Sequence, residues 1–147
     1  MFDPAAPITR AEFAAICARF DSENNQGEAL FPDIAGYWTA PFPDITGHWA
    51  EEEIRRVEQR GWVLGDEQGA FRPNGRITRA EAAVVLNRML NRLPEAEADL
   101  LEGMRTFPDN LNGTAWYYLP IEEAANGHEY NRKSDGLHET WTDLNEV

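Results

Sequence analysis

The chain has 147 residues, 13 Lys and Arg against 26 Asp and Glu, a formal charge of −13 and 42% hydrophobic residues. That length suits one domain or a few small repeats sharing a core, and the acidic excess argues against nucleic-acid or anionic-membrane binding, which run on clustered Lys and Arg. One cysteine, Cys17, excludes an internal disulfide framework and a cysteine zinc cluster, and no apolar run approaches the roughly 18 residues of a membrane helix.

Met1-Phe2-Asp3-Pro4 has no basic head and no apolar signal core, so a secretion signal, if one is used, is expected outside this sequence. Ile8-Thr9-Arg10-Ala11-Glu12 then opens a helix. Thr followed by Glu three residues later is a capping box, in which each side chain bonds the other's backbone N–H. Within this helix Cys17 reads as a small buried hydrophobe or a nucleophile. Asp21 to Glu28 has the look of a calcium loop, but its Gly is not sixth and no Glu is twelfth, which excludes one. Phe31-Pro32-Asp33-Ile34 with Gly36-Tyr37-Trp38 leads into Pro41 and Pro43, which bar a helix there.

A complete unit follows from Phe42 to Leu93. Asp44 or Thr46 is the expected N-cap, with Glu51, Glu52 and Glu53 in the first turn, where the helix dipole favours acids. Ala50, Ile54, Val57 and Gly61 form one stripe, and Gly61 ends the helix. Trp62 to Gly65 exits extended, and turns follow at 66–69 and Asn74-Gly75. Thr78-Arg79-Ala80-Glu81 is a second capping box. Its helix is expected to bury Ala82, Val85, Leu86 and Met89 and to stop before Pro94. Residues 95–104 suggest a further short helix, and 115–126 repeat the first helix type. The tail from His128 is polar and aromatic, with Trp141 and Leu144 as docking points.

These elements repeat. Phe2-Asp3-Pro4 through Ile8-Thr9-Arg10-Ala11-Glu12 returns as Phe71-Arg72-Pro73 through Ile77-Thr78-Arg79-Ala80-Glu81, 69 residues later. Phe42-Pro43-Asp44 through Gly47-His48-Trp49-Ala50 returns at Phe107-Pro108-Asp109 through Trp116, with two extra residues before the Trp. The order is a back half (1–20), a linker with a partial motif (21–41), a complete unit (42–93), a connecting helix with a front half (94–127), and a divergent tail (128–147). One such unit cannot bury its own apolar face, but stacked neighbours can.

The combination Phe-Pro-Asp-Ile, Gly-His-Trp-Ala, Gly-x-Phe-x-Pro and Ile-Thr-Arg-Ala-Glu resembles the S-layer homology (SLH) domain. That resemblance implies a mainly α fold, a pseudo-threefold bundle of helical repeats with short loops and minor extended segments. It implies a secreted, cell-surface module that holds secondary cell-wall polysaccharide non-covalently, often through a pyruvylated sugar, in grooves between repeats. The motif arginine is then the anionic contact, Arg79 in the complete copy and Arg10 in the first. The last copy lacks the motif, and Arg132 is the residue available to replace it.

Each candidate has a plainer alternative. A cation in the first helical turn opposes the dipole by roughly 0.3–1 kcal/mol, so Arg79 and Arg10 serve either an ion pair or a bound carboxylate. Trp49 and Trp116 are either core anchors or faces for a sugar ring. Asp44 and Asp109 are turn residues, or contact sugar hydroxyls. His48, His128 and His138 lack ligand spacing, so no metal and no cofactor is expected. The leading reading is a non-enzymatic wall-binding module whose partner is an acidic polysaccharide, with no nucleic acid and no membrane insertion. The alternatives are an SLH-fold interaction or assembly module without polymer binding, and a wall-glycan hydrolase, which needs two carboxyls roughly 5–10 Å apart.

Overall fold

The computed structural model describes residues 6–24 and 42–145. The front of the first motif, Phe2 to Pro4, and the partial motif at Phe31 to Trp38 lie outside the described residues. The chain divides into two compact units, residues 1–78 and 79–147, and the division falls inside the complete repeat. The described helices are α1 (Arg10–Asn24), α2 (Glu51–Gln59), α3 (Arg79–Met89) and α4 (Tyr118–Ala125), followed by strands β1 (His128–Arg132) and β2 (Glu139–Leu144).

In the first unit α1 packs on α2. The Thr9–Glu12 capping box forms as its spacing predicts: Glu12 N–H donates to Thr9 Oγ1 (3.1 Å) and Thr9 N–H to Glu12 Oε2 (2.7 Å). Small residues Ala11, Ala14, Ala15, Cys17 and Ala18 let α1 approach closely, and Ala50, Ile54 and Val57 of the predicted α2 stripe are fully buried beside Ile45. The end of α2 is a Schellman motif. Gly61 takes φ +71°, its N–H bonds Glu58 O, and Trp62 N–H bonds Val57 O. The start differs from expectation. Ala50 is the N-cap and has no side-chain bond, while Glu51 reaches back to Gly47 N–H at 2.8 Å. Asp44 is taken up elsewhere, and Thr46 is exposed.

In the second unit α3 packs on α4. Asn91, at φ +54°, closes α3 with the same motif: Asn91 N–H bonds Arg88 O and Arg92 N–H bonds Asn87 O. The buried face of α3 is Ala83, Val85 and Asn87, whereas Leu86 is 38% exposed. Asn87 is tolerated inside because its amide donates to Pro120 O at 2.9 Å.

The mainly α, pseudo-threefold expectation is corrected here. The described residues form a mixed fold, four helices and an antiparallel β1–β2 hairpin with a bulge at Glu129/Tyr130. The polar tail is that hairpin, and Trp141, 2% exposed, is its anchor. The short helix expected at 95–104 is a single 3-10 turn, Glu97–Asp99. The Asp99 carboxylate takes the N–H groups of Glu95 and Ala96, Leu100 is extended (φ −89°, ψ 167°), and Gly103 sits at φ +87°, so no α-helix propagates.

Candidate functional site

The first unit builds a bracket around Asp44 and Arg10. Asp44 Oδ1 accepts Phe71 N–H (2.9 Å) and Oδ2 accepts Arg72 N–H (2.6 Å). Burial works to raise the Asp44 pKa, but those two N–H groups and the Arg10 charge outweigh it and hold the carboxyl below its ordinary value. Arg72 is held at φ +55° by this grip and by its contact with Asp66 at 3.2 Å. Arg10 Nε donates to Phe71 O at 2.6 Å, and its guanidinium lies 5.1 Å from the Phe71 ring centroid. Phe71 in turn packs on Phe42 at 5.3 Å. Gly65 makes room for that ring: at φ +75°, a Cβ there would lie 2.6 Å from Phe42 Cε1.

The 71–76 loop also closes over the start of α1. Arg10 N–H bonds Gly75 O (2.8 Å), Ala11 N–H bonds Pro73 O (3.0 Å), and Thr9 bridges Arg76. The first three N–H groups of α1 are therefore occupied once Glu12 N–H on Thr9 is included. On the loop's far side His48 Nε2 meets Asn74 Oδ1 at 2.9 Å while Nδ1 accepts Ala50 N–H. Those two bonds assign the proton to Nε2. The His48 ring leans on Trp49 at 5.5 Å, and Trp49 is 64% exposed. Trp49 is thus a surface ring and not a core anchor. His48, Asn74 and Phe71 are parts of this bracket that motif reading undervalued.

The second unit repeats the tryptophan and not the bracket. Trp116 precedes α4, is 62% exposed, and meets Tyr117 edge-on at 5.5 Å. Asp109 is exposed in its turn. Arg79 is exposed as the first residue of α3. Among the described residues no backbone carbonyl accepts the N–H of Arg79 or Ala80, in contrast to α1. Among the described residues Arg79, Asp109 and Trp116 form no such bracket, whereas Arg10 and Asp44 share one.

The hairpin docks at the other end of α3. Glu139 N–H bonds Leu93 O, and Pro94 bridges Glu139. Arg132 donates to Asn91 O and Leu137 O at 2.7 Å each. Its guanidinium and that of Arg92 lie 4.9 and 4.8 Å from the Tyr130 ring. Arg132 is therefore a fastening of the hairpin. Lys133 and Thr140 fasten it again on Asp99, at 2.8 Å each. Burial raises the Asp99 pKa, but Lys133, Thr140 and two backbone N–H groups outweigh it and bring it to about 2.

Beneath the hairpin lies a buried polar cluster that no local sequence pattern announces. Glu123 Oε1 is 3.4 Å and Glu139 Oε1 3.0 Å from His128 Nε2, Trp141 Nε1–H donates to Glu123 Oε2 (2.9 Å), and His128 stacks on Trp141 at 4.0 Å. Glu123, His128 and Glu139 present three atoms at metal-ligand spacing. The Arg92 guanidinium is against all three, at 3.2, 2.7 and 3.4 Å. The cation position is filled by the chain itself, so the cluster does not fit a metal. The second trio at that spacing, Glu95, Asp135 and His138, is surface-lying and already joined internally, His138 Nδ1 to Asp135 at 2.6 Å and Glu95 to Lys133 at 2.9 Å.

Residues 41–83, which hold the Phe-Pro-Asp turn, the glycine-marked loop and the opening of the arginine-headed back-half helix, match the S-layer homology domain. The chain carries an S-layer homology domain there. It is also similar to two proteins of Acetivibrio thermocellus. It is 34% identical over 141 residues to cell surface glycoprotein 1, a match covering 88% of this chain and 5% of that protein. It is 31% identical over 141 residues to the cellulosome-anchoring protein, covering 92% of this chain and 28% of that one. The chain thus spans a small part of the curated relatives it matches. No solved structure matches it.

Proposed function

We propose that this chain is a non-catalytic anchoring module that attaches its protein to a bacterial cell surface by binding an acidic cell-wall polysaccharide, with a pyruvate-type carboxylate as the captured group. The S-layer homology match at residues 41–83 and the likeness to a cellulosome-anchoring protein support the class. The observation that carries the site is the contrast between the two motif arginines. Arg10 is spent on Phe71 and its helix start is covered by the 71–76 loop. Arg79 stands exposed at a helix start whose first two N–H groups take no backbone carbonyl among the described residues. A guanidinium beside the N–H groups of a positive helix end suits a carboxylate.

In this reading Arg79 is the anionic contact, and Trp49 and Trp116 offer exposed rings to sugar faces. Asp109 accepts from hydroxyls, while Arg10 and Asp44 keep the loop in shape. In the first unit the acids of the motif regions are engaged structurally, Glu12 by Thr9, Asp44 by Phe71 and Arg72, Glu51 by Gly47 and Arg55, which fits a binding role better than hydrolysis. The test is co-sedimentation with purified walls bearing or chemically stripped of pyruvate. Arg79→Ala with an unchanged far-UV CD spectrum is expected to weaken binding roughly ten- to a hundredfold, the worth of a charge-assisted pair. Equal retention by stripped walls would move the module to the protein-interaction reading. Undiminished binding by a folded Arg79→Ala would remove Arg79 from the site.

A further inference from the structure

Each unit joins the back half of one repeat to the front half of another, and the two joints carry their buried charge in opposite senses. In the first unit the anion is on the back-half helix. Asp21 of α1, fully buried, meets Arg56 Nε at 2.6 Å and Arg60 Nε at 2.8 Å. In the second unit the anion is on the front-half helix. Glu123 of α4, its side chain 2% exposed, meets Arg92 Nε, just past α3, at 3.2 Å.

The positions correspond within the repeat. The offset of 67 that carries Trp49 onto Trp116 carries Arg56 onto Glu123. The offset of 69 between the capping boxes carries Asp21 onto Leu90 and Glu23 onto Arg92. Apolar contacts separate the joints only in part: Ala14 aligns with Ala83 and Ile54 with Ile121, while Cys17 aligns with Leu86 and Val57 with Ala124. Charge adds a sharper distinction between α2 and α4 as partners of α1. Pairing α1 with α4 would set Asp21 against Glu123 with no guanidinium, and would leave Arg56 and Arg60 facing Arg92.

We propose that these buried ion pairs are a pairing code. They make α1 accept α2 and reject α4, and make α3 accept α4 and reject α2, both within the chain and against the mismatched half of a neighbouring copy. A buried ion pair holds a joint no more firmly than well-packed apolar residues, whereas a buried charge left unpaired costs on the order of a hundredfold or more in the folding equilibrium. Its effect is therefore strongest on the wrong partner. Asn87 adds to the code from α3: it donates to Pro120 O, and its counterpart on α1 is Ala18.

The experiment recodes the joints in the full chain. At pH 8, where Glu123 is ionised, Asp21→Arg with Arg92→Glu makes both native joints charge-mismatched and both crossed joints matched. Spin labels at exposed Arg19→Cys of α1 and Gln59→Cys of α2, in a Cys17→Ala background, report the native joint as a short distance by electron double resonance. In the recoded chain that distance is expected to fall below about a tenth of its native population. The repaired chain adds Arg56→Asp, Arg60→Asp and Glu123→Arg to the recoded one, which matches both native joints and mismatches both crossed ones, and it is expected to regain that distance. A recoded chain that keeps the native distance overturns the proposal, because apolar packing then suffices to choose the partner. A repaired chain that does not regain it overturns it as well, because sign is then not what is read.

Discussion

Glu123 is a carboxyl at which mild acid should strengthen this protein. Burial, with Glu139 beside it, outweighs the Trp141 hydrogen bond and the charges of His128 and Arg92 and raises its pKa from 4.5 to about 7. Between those values the folded chain holds a proton that the unfolded chain has released. The stability tied to that proton is complete below pH 4.5, is lost as pH rises to about 7, and does not change further above it. One proton gives a slope of about 1.4 kcal/mol per pH unit. Across this window the total is up to about 3 kcal/mol, an upper bound because Arg92 is partly exposed and solvent screens the cluster. Asp99, held at about 2, titrates below the window and does not mask the effect. The perturbation is Glu123→Gln, which keeps an acceptor for Trp141 Nε1 and copies the shape of the protonated acid. The assay is amide hydrogen exchange of β1 and β2 between pH 5 and 8, corrected for intrinsic exchange. Wild-type protection should fall as pH rises from 5 to 7, by close to tenfold per unit at its steepest. The variant should be flat, and the better protected of the two at pH 8. Parallel slopes, or wild-type protection that rises over the same range, would refute the reasoning.

Three further outcomes follow from single residues. Asp21→Ala strands the Arg60 guanidinium, whose side chain is 8% exposed, and should cost about 3–5 kcal/mol in urea unfolding; Asp21→Leu with Arg56→Met and Arg60→Met should regain most of it. Gly65→Ala forces a left-handed φ and a 2.6 Å approach to Phe42, for a loss of about 2–4 kcal/mol by the same assay. Cys17 is 2% exposed and burial pushes its thiol up to about 11, so thiol reagents should label it only as the first unit unfolds, and prompt labelling of the native chain would revive the nucleophile reading.

Local rules were legible where one residue type has one job. The Thr9–Glu12 box, Gly61 as a helix stop and the Ala50–Ile54–Val57 stripe all stand where capping chemistry and helical spacing put them. Long-range bonds were not legible. Asp44 reads as an N-cap in sequence, but its oxygens go to N–H groups 27 and 28 residues away, and no local pattern announces that. The hairpin was missed because β1, His-Glu-Tyr-Asn-Arg, carries no apolar alternation. Its order comes from Trp141, Glu139 and Lys133 reaching α4, the segment after α3 and the 3-10 turn. Arg132 was a reasonable stand-in by charge alone. Two backbone carbonyls and a tyrosine ring occupy it, which only coordinates could reveal.

The charge of −13 sets the last prediction. A polymer bearing carboxylates is repelled at long range by the acidic surface and, in the proposed reading, captured at short range by Arg79. These terms respond differently to salt. The Debye length shrinks from about 30 Å at 0.01 M to about 10 Å at 0.1 M, so repulsion from charges spread over the module is screened first. A contact at hydrogen-bond distance, backed by helix N–H groups, is screened much less. Wall binding should therefore hold or rise as salt increases from 0.01 to 0.15 M, opposite to the steep fall of a protein that binds polyanions through a basic face. The Arg79→Ala protein should keep the repulsion and lose the capture, so its residual binding should also rise with salt from a much lower start. A steep loss of wild-type binding over that range would mean that summed long-range attraction holds the polymer, and a single arginine at the start of α3 could not be the principal contact.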